Sequence, residues 1–154
     1  MGKIEEIIVF TLGGHCYGIT LAAVERVVRM VEITPLQGAP VFVSGVINVR
    51  GEIVPVVDLR LRLGLPARPV ELGDQLLLIR CAGRSMALTA DTTQGVRSYR
   101  QEEMTEMDDI LSDLPFLSGI AKLADSLILI HDLEQLLSPH EAQTIVAAMA
   151  REMP

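Results

Sequence analysis

Residues 45–60 read GVINVRGEIVPVVDLR, and they spell a hairpin that hands over to a helix start. Val46, Ile47 and Val49 lead into a polar corner, Asn48-Val49-Arg50-Gly51, and Ile53, Val54, Val56 and Val57 lead out of it. β-Branched runs of this kind suit a pleated, half-buried surface. Asn48 and Gly51 are the turn residues, because both tolerate positive φ. Pro55 has no N–H to give a ladder, which predicts a strand edge or a bulge at that point. Asp58 precedes the apolar spacing Leu59, Leu61, Leu63 and is placed as a helix N-cap.

The pattern returns near the C-terminus as GIAKLADSLILIHDLEQLL, Gly119 to Leu137. Gly45 and Gly119, Val54 and Ile128, Asp58 and Asp132, Leu59 and Leu133 are each 74 residues apart, which makes Asp132 the second N-cap. A fainter copy links Gly14, Tyr17, Ile19, Thr20 and Val27 to Gly83, Met86, Leu88, Thr89 and Val96, at a spacing of 69. Two copies are too few for a solenoid, which needs at least ~3 repeats to bury a core. The reading is two related β-rich halves that share one core.

Between these landmarks, Ile4–Leu12 and Tyr17–Leu21 read as a hairpin around Gly13-Gly14, and Gln75–Cys81 with Ser85–Ala90 as another around Gly83. Leu21 to Val28 is open between a helical turn and a strand start. Leu65 to Pro69, with two prolines, opens a connector spanning about 65–73. Glu102 to Asp113, carrying Glu102, Glu103, Glu106, Asp108, Asp109 and Asp113, reads as a long acidic loop, either solvated or steering a basic partner. Ser138-Pro139-His140-Glu141 is a capping box with proline at the first helical position. Ala142, Ile145, Val146 and Met149 then form one apolar stripe, so residues 138–154 are read as an amphipathic helix docking on the strands or binding a partner.

Composition narrows the function. A net charge of −7 argues against nucleic acid and anionic lipid. Aromatics are 3% and tryptophan is absent, so the core is built from Val, Ile and Leu. Positive charge is nearly all arginine, the planar cation suited to bidentate pairing, though codon usage could also favour it. No targeting segment is visible and the apolar runs are far shorter than the ~20 residues a bilayer needs. With Cys16 and Cys81 at non-equivalent repeat positions, the expected compartment is the cytoplasm, without a disulfide.

Catalytic candidates do not converge. His15 and Cys16 are strand neighbours that point to opposite faces, and so are His131 and Asp132. Histidines 15, 131 and 140 show no metal spacing, and the acidic run lacks a calcium-loop glycine. Gly13, Gly14 and Gly18 are not followed by the Lys-Ser/Thr of a phosphate loop. The expectation is a protein without catalytic, metal or cofactor sites.

FTLGGHCYGI (Phe10 to Ile19), GVINVRGEIVPVVDLR and GIAKLADSLILIHDL together resemble the CheW family of chemotaxis coupling proteins, over about residues 5–137. The resemblance implies a mainly β fold of two five-stranded SH3-like barrel subdomains on a common hydrophobic core, with short helices. It implies a CheW-like domain over residues 1–137. It also implies a non-enzymatic adaptor that is recruited to membrane-associated receptor arrays. Its partners would be the regulatory domain of a CheA-type histidine kinase and the cytoplasmic tip of chemoreceptors. Carried over residue by residue, receptor contacts fall on Val24, Val27 and Val96, with Arg50 as the arginine of the family's NxRG motif. Arg50 could equally be a corner residue bridging carbonyls and a carboxylate. Three positions depart from the pattern: Arg26 stands where the family often has an acid, with Glu25 displaced by one, and Thr20 and His131 replace an aspartate and an apolar residue. Related adaptors serve twitching-motility and other chemosensory pathways, and a small-ligand-binding β-barrel is the reading from another class.

Overall fold

A computed structural model describes residues 3–81, 83–106, 117–123 and 125–152. Among these residues eleven strands form two sheets. The strands are β1 (Ile4–Leu12), β2 (His15–Thr20), β3 (Val24–Arg29), β4 (Val43–Val49), β5 (Glu52–Val57), β6 (Gln75–Cys81), β7 (Arg84–Ala90), β8 (Thr92–Arg100), β9 (Met104–Glu106), β10 (Leu117–Leu123) and β11 (Ser126–His131). Helices α1 (Leu59–Arg62) and α2 (Leu133–Leu136) follow the two related hairpins, and α3 (Pro139–Glu152) ends the described chain. The first sheet runs β8-β1-β2-β11-β10-β9 and the second β3-β6-β7-β5-β4.

The near-continuous apolar strands are explained by burial on both faces. In β1, Ile7 and Val9 face a core inside the first sheet with Tyr99, Ala121, Ile128 and Ile130. Ile8, Phe10 and Leu12, the alternate set, face a larger core between the sheets. β6 divides the same way. Leu76 and Leu78 join Ile47, Val54, Val56 and Ala87 inside the second sheet, while Leu77, Ile79 and Cys81 join the shared core. Each sheet therefore curls around its own filling, and the two press together through a third core.

The sequence halves and the spatial units are different partitions. The first sheet takes β1 and β2 from the first copy and β8 to β11 from the second. The second sheet takes β3 to β5 from the first copy and β6 and β7 from the second. The copies meet as antiparallel pairs β1–β8 and β3–β6, and as parallel pairs β2–β11 and β5–β7. The 65–73 connector thus runs from α1, which follows β5, to β6, and so links two strands of the second sheet.

Several local readings are corrected. The corner at 48–51 is only Arg50-Gly51, since Asn48 and Val49 are still paired in β4. Leu21–Ala23 is a 3-10 turn and β3 begins at Val24, which divides the ambiguous stretch between both options. The acidic segment is not all loop: Gln101–Glu103 is a 3-10 turn and Met104–Glu106 is a strand on β10. Asp108, Asp109 and Asp113 lie outside the described residues. Pro55 sits in an inner strand and is buried, but β5 meets β7 only from Val56 onward, so no second ladder asks for its N–H.

The tail is the expected helix. Ser138 Oγ accepts from the Glu141 N–H at 3.1 Å while the Glu141 carboxylate accepts from the Ser138 N–H at 2.9 Å. Ile145 is buried in the shared core with Met149 packed against it, and Ala148 is also buried.

Candidate functional site

The second sheet ends at β3 and the first at β8, and the shared core lies between them. Val24 and Val27 are half-buried on that core, with their backbones already paired to β6. Val96 stands directly opposite Ile8, itself a member of the core, so the two side chains share a face. It remains 51% exposed, a large apolar group left at the surface. The sheets are tied at the start of β8: the side-chain oxygen of Gln75, on β6 next to β3, accepts from the Thr93 N–H and hydroxyl at 2.6 and 2.9 Å. Val24, Val27 and Val96 therefore border one seam between two sheet edges.

Arg50 stands apart from that seam, at the tip of the β4–β5 hairpin. Arg50 and Gly51 have φ of 52° and 87°, the sign pattern of a type I′ turn, whose twist matches that of the strands. The Asn48 side chain accepts from the Gly51 N–H at 2.8 Å and closes it. The Arg50 side chain is exposed and makes no hydrogen bond or ion pair among the described residues. Among the described residues Arg50 makes no corner bridge to a carboxylate. Arg50 instead lines an open depression with Glu25, Arg26, Glu52 and Val54, at the rim of the second sheet's core. β3 thus serves two surfaces: Val24 and Val27 toward the seam, Arg26 toward this rim.

The Asp58 carboxylate accepts from the Leu61 N–H at 3.3 Å at the start of α1. Asp132 precedes α2, and its backbone carbonyl accepts from the Gln135 N–H at 3.1 Å.

A polar cluster absent from the sequence reading fastens the two sheets behind these surfaces. Asp91 is the single residue between β7 of the second sheet and β8 of the first. Its carboxylate accepts two bonds from Arg60 at 2.7 and 2.8 Å, one from Arg68 at 2.7 Å, and one from the Gly13 N–H at 2.9 Å. Burial alone would raise the Asp91 pKa, but these donors outweigh it and hold the carboxyl below its usual range. Arg68 also pairs with Asp74 at 2.8 Å. Two residues along α1, Arg62 stacks over Phe42 at 4.2 Å and gives Nε to the Leu136 carbonyl at 2.6 Å. It also forks onto Glu141 at 2.7 and 3.0 Å. Burial opposes ionisation of Glu141 too, and the Ser138 N–H and Arg62 overcome it, leaving its pKa lowered. The spacing of Arg60 and Arg62 beside the Asp58 cap was visible in the sequence, but their partners lie 31 and 79 residues away.

The candidate nucleophile Cys16 and its neighbour His15 do not pair. His15 is exposed, while the Cys16 thiol points at the Gln94 side-chain oxygen at 3.7 Å. Neither Cys16 nor Cys81 is in a disulfide, and Cys81 donates to the Leu133 carbonyl at 3.2 Å. His131 is buried against Tyr17, ring centroids 5.5 Å apart, and burial raises the Tyr17 pKa. Among the described residues no group of three or more metal-capable side chains converges, and no helix is long and apolar enough to cross a membrane.

Residues 6–141 match a family model described as a CheW-like domain. The chain is 25% identical over 146 residues to the chemotaxis protein CheW of Treponema pallidum, covering 91% of this chain and 86% of that one. It is 27% identical over 113 residues to the protein PilI of Pseudomonas aeruginosa, covering 72% and 64%. The crystal structure of the scaffolding protein TtCheW from Thermoanaerobacter tengcongensis superposes with a TM-score of 0.80 at 30% identity, covering 92% of this chain and 96% of that one. Two curled sheets on a shared core, a repeated hairpin ending in an aspartate before a short helix, and a family match across most of the length agree: the chain belongs to the CheW-like domain family.

Proposed function

We propose that this protein is a non-enzymatic adaptor that couples chemoreceptors to a CheA-type histidine kinase in bacterial chemosensory signalling. The observation that carries this reading is the seam between β3 and β8, where Val24, Val27 and Val96 offer apolar contact between two sheet edges. A helical hairpin from a receptor tip fits such a groove by laying its apolar face along it. Arg50, exposed at the hairpin tip and without an intramolecular partner among the described residues, would be a separate polar contact for the receptor, apart from the groove. Kinase and receptor would be held on different faces, and assembly into arrays would strengthen contacts that are individually weak. The likeness to CheW of Treponema pallidum and to a scaffolding CheW structure supports the same role. The ligand-binding alternative loses ground because each sheet's interior is filled by its own side chains.

Calorimetric titration with the host's kinase regulatory domain, then with a receptor-tip fragment, tests the proposal. Saturable binding to both is expected, with Arg50→Glu weakening only the second. A folded protein that binds neither would refute the adaptor. The likeness to PilI favours one variation, the same adaptor role in a twitching-motility or other chemosensory pathway. Binding to the kinase of that pathway in preference to the chemotaxis kinase would select it.

A further inference from the structure

The two edges that border the seam are built alike. On β3 the register slips between Val24, opposite Ile79, and Arg26, opposite Leu78, so Glu25 is an extra residue of a bulge. On β8 it slips between Thr93, opposite Phe10, and Gly95, opposite Val9, so Gln94 is the extra residue there. The spacing of 69 that relates the fainter sequence copies carries Val24 to Thr93, Glu25 to Gln94 and Val27 to Val96. The two bulges are therefore one feature, present in both copies. The ladders behind them are regular: β6 pairs with β7 from Gln75 to Cys81 without a slip, and β1 with β2 from Ile7 to Leu12. On both sides of the seam the irregularity lies in the edge strand, not in the strand behind it.

Each bulge changes which side chains share a face. Val24 and Val27 are three residues apart, and strand alternation would send them to opposite faces. With Glu25 taken out of the count, Val24 lies opposite Ile79 and Val27 opposite Leu77, and all four pack on the shared core. Thr93 and Val96 repeat the arrangement, opposite Phe10 and Ile8 of the same core. A bulge also bends its strand and increases its twist, and on an edge it turns the open backbone away from any strand that would add to it. Gly95, with a φ of 93°, supplies a conformation that side chains disfavour. The extra side chains are exposed and held locally. The Glu25 carboxylate accepts from the Ser85 hydroxyl at 3.4 Å, and the Gln94 side-chain oxygen from the Cys16 thiol at 3.7 Å. From this equivalence we infer that Glu25 and Gln94, with Gly95, are positioning residues of the seam. Their bulges gather Val24, Val27 and Val96 on one face and keep β3 and β8 from closing on each other, so the groove takes a helix and refuses an added strand. This deepens the docking reading and rests on it for the identity of the helix.

The variants are deletions of Glu25, of Gln94 and of both. A deletion leaves Val24, Val27 and Val96 opposite the same partners and removes only the bend, so a loss of binding reports the bend. Each variant is titrated with the host's chemoreceptor-tip fragment. Amide hydrogen exchange of β3 and β8 is followed by NMR without any partner, and far-UV circular dichroism reports the fold. Each deletion is expected to weaken tip binding on the order of tenfold, and the double deletion to slow exchange in both strands as the edges close. Glu25→Ala and Gln94→Ala, which keep the bulges, should bind within about twofold of wild type. Wild-type tip binding in the folded deletion variants, or unchanged exchange, overturns the inference. A wild type that binds no tip overturns the docking reading, and the exchange measurement then decides the bulges alone. If the deletions do not fold, Gly95→Asn and Gly95→Val take their place in the same two measurements. A Cβ at Gly95 has open space around it, so the two differ in the backbone they accept. Asn tolerates positive φ and Val does not, so Asn should bind the tip like wild type and Val on the order of tenfold more weakly. Equal behaviour of the two overturns the inference.

Discussion

Gly45 and Gly119 hold the same place in the two copies, and each marks a register slip in its hairpin. A Cβ on Gly45 would overlap the Thr34 carbonyl, and one on Gly119 would lie 2.7 Å from the Thr105 carbonyl oxygen. Gly45 also has a φ of 153°, outside the reach of most side chains. Gly45→Ala should therefore cost about 3 kcal/mol in urea unfolding, from overpacking and backbone strain together. A value within experimental error of wild type would show that Thr34 moves aside freely. Asp91 gives a second prediction at this scale. Its carboxyl and that of Glu141 have lowered pKa values in the folded chain, whereas unfolded carboxyls titrate near ~4. The stabilisation they supply is complete above the unfolded value and is lost as pH falls through the folded one. Melting temperature should hold steady from about pH 7 to 5 and drop below about pH 4, and Asp91→Asn should flatten the drop while lowering the neutral-pH plateau. Residue chemistry with a local cause, such as the Asp58 cap or the Asn48-Gly51 turn, was legible in the sequence. The Asp91 cluster was not, because nothing near Arg60 or Arg68 in the chain announces a partner brought in by the crossover between sheets.

At the scale of elements, α3 shows how a local signal and a distant contact combine. The capping box fixes where the helix starts, and the same Glu141 carboxylate is gripped by Arg62 of α1. Ile145 is only 3% exposed, so Ile145→Ala should destabilise the protein by about 3 kcal/mol, while Ser138→Ala should cost about 1 kcal/mol. Equal effects in chemical denaturation would mean that the cap, and not the packing, anchors the helix. The strand β9 was missed because its three residues sit in a run whose charge reads as loop. The repeat held the missing signal. Thr34 bridges Val46 in the first copy, and Thr105 faces Ile120, 74 residues after Val46, in the second. One contact marks the first copy, a short strand the second.

The whole molecule is held by strands exchanged between copies. Neither copy owns a complete sheet, and both hairpins of each copy depend on strands from the other. Cleavage of the gene within the 65–73 connector should give two fragments that are each unstructured alone and that regain strand signal when mixed, read by circular dichroism and size exclusion. A first fragment that folds by itself would show that its hairpins suffice without the second copy. Fold class was readable because the repeat, the two-faced apolar strands and the turn glycines all point one way. The exchange was not, since a repeat spacing reports which segments are alike and is silent on which of them pair.

That exchange also orders events on the ribosome. The first 62 residues comprise five strands and α1, yet their outer partners have not been made. The second sheet can be completed once β7 has emerged, at Ala90, whereas β1 and β2 must wait for β8 to β11 and so for residue 131. The earliest strands to be synthesised are thus among the last to be satisfied. During translation, the apolar faces of β1 and β2 stay open to chaperones until residue 131 has emerged.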